Sequence, residues 1–237
     1  MEFTSFGLLA ATTDLSEEPA AREHADGMEL RMDLADDPLD ALDAYEGELP
    51  LLVTNRVHWE GGEAPDDTTR LDALETAVGH DAVEAVDVEL AALTGGGDYD
   101  ATRVVEEARA SDVAVVVSTH DFEATPDRGD LVERLRAACE HGDVGKIATT
   151  AQSSGDVLDL LDATRTLTDE GERVATMAMG EPGRHSRAVA PLYGSKIGYA
   201  PVNPTDATAP GQYDLATLRA LIDDLRSEVP ERETAAQ

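Results

Sequence analysis

Eight short apolar runs recur along the chain, each followed by a polar stretch in which apolar residues return at helical spacing. The runs occupy residues 6–12, 28–33, 49–56, 82–90, 112–118, 144–148, 173–179 and 196–202. Between them, Leu39, Leu42 and Tyr45 mark a helix near 36–46, and Leu71, Leu74 and Val78 mark one near 66–78. Leu131, Leu135 and Ala138 do the same near 127–141, as do Val157, Leu160, Leu161 and Leu167 near 154–170. Leu215, Leu218, Leu221, Ile222 and Leu225 place a last helix near 214–228, and weaker patterns lie near 15–26, 100–110 and 184–193. Strict alternation of strand and helix implies parallel pairing, and eight repeats fit a (β/α)₈ barrel. A doubly wound open sheet is the rival architecture. No low-complexity linker interrupts the pattern, so residues 1–228 are expected to form one domain and 229–237 a frayed tail.

Composition sharpens this picture. Fifty acidic residues against eighteen basic ones give a net charge of −32 over 237 residues. At molar salt the Debye length is about 3 Å, so the self-repulsion of such a surface is screened. The acidity therefore reads as adaptation to concentrated salt. An acidic tail for a basic partner would cluster its charges in blocks, whereas these are scattered. Nucleic acid is excluded as a partner because no basic stripe is present to meet phosphates. No apolar run approaches the roughly 18 residues of a membrane span, and Met1-Glu2-Phe3-Thr4 lacks the basic start of a signal peptide. The single cysteine, Cys139, excludes an intramolecular disulfide and suits the cytoplasm. Its place in a helical stripe predicts a small buried core residue.

The chain holds only two lysines, where roughly a dozen or more would be ordinary. One of them, Lys146, sits among Val144, Ile147 and Ala148. An ammonium buried there must be paired or lose its proton, and a neutral amine facing a pocket attacks carbonyl groups. The alternative is a lysine at a strand end that snorkels to solvent. In a barrel, reactive groups belong at the carboxyl ends of the strands. Glu29, Arg31 and Asp33, then Arg56, Asp87 and Glu89, Ser118, His120 and Asp121, Lys146, and Met177 and Met179 fall there. Side chains alternate along a strand, so Glu29, Arg31 and Asp33 share a face, as do Asp87 and Glu89. Each could be a structural ion pair; together on one rim they read as a polar cavity. His120 lies on the strand beside that of Lys146, and imine chemistry needs a proton carrier at each step. A lone histidine can also be structural. Gly142-Asp-Val-Gly145-Lys146 is no phosphate loop, since the gap is short and Ile147 stands where a hydroxyl must bind magnesium. Gly95-Gly-Gly97 reads as a flexible loop, and the spacing of Cys139 and His141 implies no metal.

These residues resemble, in order along nearly the whole chain, the type I 3-dehydroquinate dehydratases, Schiff-base (β/α)₈ enzymes of the shikimate pathway. Glu29-Leu-Arg31-Met-Asp33 resembles the family's acidic–Arg–Asp strand, and Thr54-Asn-Arg56 through Glu60-Gly-Gly62 resembles its Arg motif. Val86-Asp-Val-Glu89, Ser118-Thr-His120-Asp-Phe122 and Lys146-Ile-Ala are similar to its fourth, fifth and sixth strands. Met177-Ala-Met-Gly180, Gly183-Arg-His-Ser-Arg187 and Ala209-Pro-Gly-Gln212 complete the set. The resemblance implies dehydration of 3-dehydroquinate to 3-dehydroshikimate, without a cofactor or metal, through an imine on Lys146. It assigns proton transfer to His120 and its orientation to Glu60. Arg187 is implied as the clamp for the substrate carboxylate. Glu29, Arg31 and Arg56 would hold the ring hydroxyls, Thr208 and Gln212 would reach in from the last loop, and Met177 and Met179 would pack against the ring. A homodimer is implied as well. Thr208 stands where many members carry serine, which keeps the hydroxyl. The hairpin that often closes the barrel bottom is missing here, which leaves the floor to be found. Another class I lysine aldolase or lyase and an inactive barrel used as a binding module are the competing functions.

Overall fold

The computed structural model describes residues 1–64, 66–95, 100–203, 205 and 211–227. Gly96, Gly97, Thr208 and the 229–237 tail lie outside the described residues.

Eight strands form one sheet: β1 Gly7–Thr12, β2 Gly27–Arg31, β3 Leu51–Thr54, β4 Val83–Glu89, β5 Ala114–Asp121, β6 Val144–Thr150, β7 Val174–Met179 and β8 Ile197–Pro201. Their order is β7-β6-β5-β4-β3-β2-β1-β8, and every ladder is parallel. The two ends of that order meet through Lys196, whose N–H donates to Val174 O at 2.7 Å while its carbonyl accepts from Gly7 N at 2.9 Å. Ser195 Oγ adds a bond from Thr176 N at 3.1 Å. The sheet thus curls into the expected barrel rather than the open alternative.

The helices are α1 Glu18–Ala21, α2 Pro38–Asp43, α3 Asp67–Val78, α4 Leu90–Leu93, α5 Thr102–Ala110, α6 Arg128–Cys139, α7 Ser154–Asp169, α8 Gly180–Gly183, α9 Ser186–Val189 and α10 Leu215–Arg226. Several acids act as N-caps, which spends part of the acidity on helix starts. Asp66 accepts from Thr69 N, Asp127 from Gly129 N and Asp130 N, and Asp214 from Thr217 N. Two segments fall short of their sequence patterns. Near 15–26 only a 3-10 turn and α1 form, because few large apolar residues sustain a stripe there. Near 184–193, α9 gives way to a 3-10 turn, Ala190–Tyr193, in which Pro191 offers no N–H.

Alternation along the strands separates two environments. Leu9, Leu52, Val116, Val144, Ala148, Ala175 and Ile197 fill the barrel interior, while Leu8, Met28, Val115, Val117 and Ile147 pack outward on the helices. The floor is supplied by the chain's own first residues: Phe3 is buried in the interior cluster and Met1 packs against it. On the outside of β6, a Cβ on Gly145 would lie 2.8 Å from Leu135 O and 2.6 Å from Cys139 Sγ. Glycine there lets α6 press on β6 and fixes the strand that carries Lys146. Cys139 is only half-buried at this contact, a correction to the core placement its stripe suggested. Among the described residues, no helix is long and apolar enough to cross a membrane.

Candidate active site

Lys146 points into the barrel from β6 and is 4% exposed, which removes the snorkelling alternative. Its Nζ donates to Asp87 Oδ2 at 2.8 Å and lies 4.3 Å from the centre of the Tyr199 ring. Asp87 in turn accepts from Arg56 Nη2 at 2.7 Å and from Ser118 Oγ at 2.6 Å. Burial would push the Asp87 carboxyl up, but Arg56 and Lys146 outweigh it and hold it well below the usual carboxylate range. The lysine is therefore paired with a permanent carboxylate. The sequence places Asp87 on the polar rim without revealing its partner, and gives no signal for Tyr199.

His120 stands on β5, in register with Ala148 of β6 and on the same inward face as Lys146. Its Nδ1 lies 2.8 Å from Glu60 Oε2. Burial, then repulsion from Arg56 and Lys146, pushes the imidazole well below its ordinary value. Burial likewise pushes the Glu60 carboxyl up to about 8. Both shifts have one cause: the barrel mouth resists charge on this pair. Phe122 stacks over the imidazole at 6.0 Å and 14°.

Two glycines let Glu60 reach this position. Gly61 has φ +79°, in the left-handed region, and a Cβ on it would lie 2.3 Å from Phe122 Cζ. A Cβ on Gly62 would come within 2.0 Å of Arg56 O. The Glu-Gly-Gly motif is thus a steric requirement of the turn that follows β3.

The remaining candidates border the same solvent-open cleft. Glu29, Arg31, Arg56, Glu60, His120, Lys146, Met177, Met179, Arg187 and Gln212 all line it, with Phe122 and Tyr199. Glu29 accepts from Thr54 Oγ1 at 2.9 Å. Arg31 forms a two-pronged pair with Asp33, at 2.9 and 2.7 Å. Arg56 gives its bonds to protein, adding Glu89 Oε1 and Ser118 Oγ, both at 2.8 Å, to Asp87. Arg187 differs. Its Nε and Nη2 are buried without a hydrogen-bond partner among the described residues, and burial pushes its pKa down to about 10. An unpaired buried guanidinium facing a cleft is suited to a planar anion. Among the described residues no group of three His, Cys, Asp or Glu side chains gathers to hold a metal.

Comparison with known proteins agrees with this arrangement. The family model for type I 3-dehydroquinase matches residues 10–227. A 3-dehydroquinate dehydratase from Haloarcula marismortui is 69% identical over 228 residues, covering 96% of this chain and all of that one. This relative also supports the salt-adapted reading of the acidic surface. The crystal structure of 3-dehydroquinate dehydratase from Geobacillus kaustophilus superposes with a TM-score of 0.80 at 30% identity, covering 94% of this chain and 92% of that one. A type I 3-dehydroquinate dehydratase from Clostridium difficile, solved with covalent modified comenic acid, gives 0.80 at 27% identity over 93% and 92% of the two chains. By sequence match over nearly its whole length, and by a barrel that carries the expected lysine and histidine side by side, the chain belongs to the type I 3-dehydroquinase family, hydro-lyases that work through a lysine imine.

Proposed function

We propose that Lys146 forms the imine with the C3 carbonyl of 3-dehydroquinate and that His120 carries the protons. The neutral amine attacks the carbonyl, and the former carbonyl oxygen leaves as water with a proton from His120. The protonated imine then acts as an electron sink and acidifies C2. His120 Nε2 takes the C2 proton, and the electron pair flows into the imine to give an enamine. The enamine expels the C1 hydroxyl, which departs as water with the proton His120 has just taken. A water molecule hydrolyses the remaining imine, frees Lys146 and releases 3-dehydroshikimate, so one water is lost overall.

The other groups serve these steps. Asp87 keeps its charge throughout and offsets the ammonium and the iminium in turn. Glu60 orients the imidazole. Arg187 clamps the substrate carboxylate, and Glu29 and Arg31 meet the ring hydroxyls. Arg56 and Gln212 complete the polar rim, while Met177 and Met179 form its apolar wall and exclude water; Thr208 is retained as a substrate-binding residue on the resemblance alone. The observation that carries this reading is the pairing at the centre: a buried lysine amine 2.8 Å from a carboxylate, with a glutamate-backed histidine on the adjacent strand.

Turnover of 3-dehydroquinate, followed by the ultraviolet absorbance of the conjugated product, tests it. Lys146→Ala should abolish turnover, and His120→Ala should slow it about 10²–10⁴-fold. Full activity in either variant contradicts the assignment. A cytoplasmic homodimer of single-domain subunits, each built from residues 1–228, belongs to the same proposal. Light scattering in molar potassium chloride checks the assembly state.

A further inference from the structure

Arg70 is the largest side chain of the core to be fully buried, and none of the chemistry above uses it. It sits in the first turn of α3, outside the barrel wall. Its Nε donates to Asp67 Oδ1 at 2.5 Å and its Nη1 to Asn55 O at 3.2 Å. Asn55 Nδ2 returns a bond to the Arg70 backbone carbonyl at 3.1 Å, which ties the end of β3 to the first turn of α3. The same Nη1 lies 2.9 Å from Glu89 Oε2. That contact is an ion pair rather than an aligned hydrogen bond, since Glu89 Oε2 and Arg70 Nη2 make no hydrogen bond among the described residues. What Arg70 gives Glu89 is charge.

Glu89 stands between two guanidinium groups. Its Oε1 accepts from Arg56 Nη1 at 2.8 Å, and Arg56 Nη2 continues to Asp87, which holds Lys146. Asp67, Arg70, Glu89, Arg56, Asp87 and Lys146 therefore form one alternating row of three acids and three bases, buried from α3 to the reactive amine. Its formal charge is zero with Lys146 protonated. Such groups are screened little by salt, so the row should respond as a unit.

We infer that Arg70 is a positioning residue for imine formation: by neutralising Glu89 it leaves Arg56 free to share Asp87, and so limits how firmly Asp87 holds the Lys146 ammonium. Without Arg70, Glu89 has one cation left and draws Arg56 onto both of its oxygens. Asp87 then turns wholly to Lys146. The remaining five groups carry one excess negative charge, which favours the ammonium over the neutral amine that must attack the substrate. The inference rests on Lys146 being the imine-forming residue.

The experiment is a double-mutant cycle read by rapid mixing with 3-dehydroquinate and quenching with borohydride, which fixes the imine as a stable adduct. Wild-type adduct mapped to Lys146 secures the underlying reading; an adduct elsewhere sinks that reading and leaves the relay without a purpose. Given adduct on Lys146, Arg70→Met should slow its formation by about tenfold or more while KM changes less than about threefold. Arg70→Lys, which keeps the charge, should recover most of the rate. In a Glu89→Gln background, Arg70→Met should cost less than about threefold, because no carboxylate remains to be neutralised. Should Arg70→Met fail to fold in molar salt, Arg70→Gln takes its place in the cycle with the same expected losses, since it removes the charge and keeps a hydrogen-bond donor for Asp67 and the Asn55 carbonyl. Equal losses in the two backgrounds, or unchanged imine formation in folded Arg70→Met, overturn the inference and leave Arg70 a packing residue.

Discussion

Lys146 Nζ and Asp87 Oδ2 lie 2.8 Å apart although β6 and β4 are not neighbours, so the pair spans the inward face of β5 at Ser118. Asp87 also balances Arg56, and Lys146 and Arg56 are both 4% exposed or less. Removing this one carboxylate leaves the buried Lys146 without its ion-pair partner and Arg56 with Glu89 alone. Asp87→Asn should lower the stability of the protein by about 3–5 kcal/mol, the usual cost of breaking a buried pair on one side. Thermal unfolding in molar potassium chloride checks it. A variant as stable as the parent would mean that solvent reaches the pair.

His120 and Glu60 titrate together, so the shift at Glu60 describes the pair. Below about 8 the pair keeps two protons, one shared between Nδ1 and the carboxyl and one on Nε2. Above that pH the second proton is lost, Glu60 accepts from Nδ1–H, and Nε2 becomes a free base. The base-dependent step should therefore quicken as pH rises through about 8. Glu60→Gln removes this titration. Its activity should fall by about 10²-fold or more, and its rising limb should move to lower pH because burial lowers the histidine. An unmoved limb would separate Glu60 from the proton chemistry.

The same shift has a consequence for stability. Glu60 is raised from 4.5 to about 8 in the folded state. Below 4.5 it is neutral in both states. As pH climbs from 4.5 to 8 the unfolded chain loses this proton while the folded one keeps it, so stability falls with rising pH across that window. Unfolding midpoints should show Glu60→Gln losing less stability than the parent between pH 6 and pH 8. Parallel curves would contradict the burial-driven shift.

Much of this site was legible in the sequence, for identifiable reasons. Lysine is so rare here that its survival in an apolar run pointed to chemistry, and strand alternation placed Glu29 with Arg31 and Asp87 with Glu89 on inward faces. Asp87 as the partner of Lys146 was not legible, because the contact crosses an intervening strand and depends on how tightly the barrel closes. The floor made by Met1 and Phe3 was hidden for a similar reason: two residues before the first strand carry no periodic signal. The turn after β3 was readable only as a motif, since the clashes that demand Gly61 and Gly62 come from Phe122 and from the backbone of Arg56.

Arg187 carries a buried charge with no hydrogen-bond partner on Nε or Nη2 among the described residues. Arg187→Met should raise KM for 3-dehydroquinate about a hundredfold, with kcat changed much less, as expected when a charged contact to bound substrate is lost. The free variant should be no less stable than the parent, because an uncompensated buried cation has been removed. An unchanged KM would place the substrate carboxylate elsewhere.

The net charge of −32 makes a prediction that does not depend on the site. Circular dichroism and activity should both fall as potassium chloride is lowered from molar to about 0.05 M, where the Debye length exceeds about 10 Å. The loss should come at constant pH, before any active-site group titrates. If both signals stay flat, the acids are no salt adaptation and a basic docking partner becomes the better explanation.

The central claim, that Lys146 is the covalent catalyst, is tested most directly by reducing the protein with borohydride in the presence of 3-dehydroquinate and mapping the adduct by peptide mass spectrometry. With only two lysines in the chain, the outcome is unambiguous. The account predicts one adduct, on the peptide containing Lys146, absent from Lys146→Ala and dependent on substrate. An adduct on Lys196, or turnover with no trapped adduct at all, would contradict it.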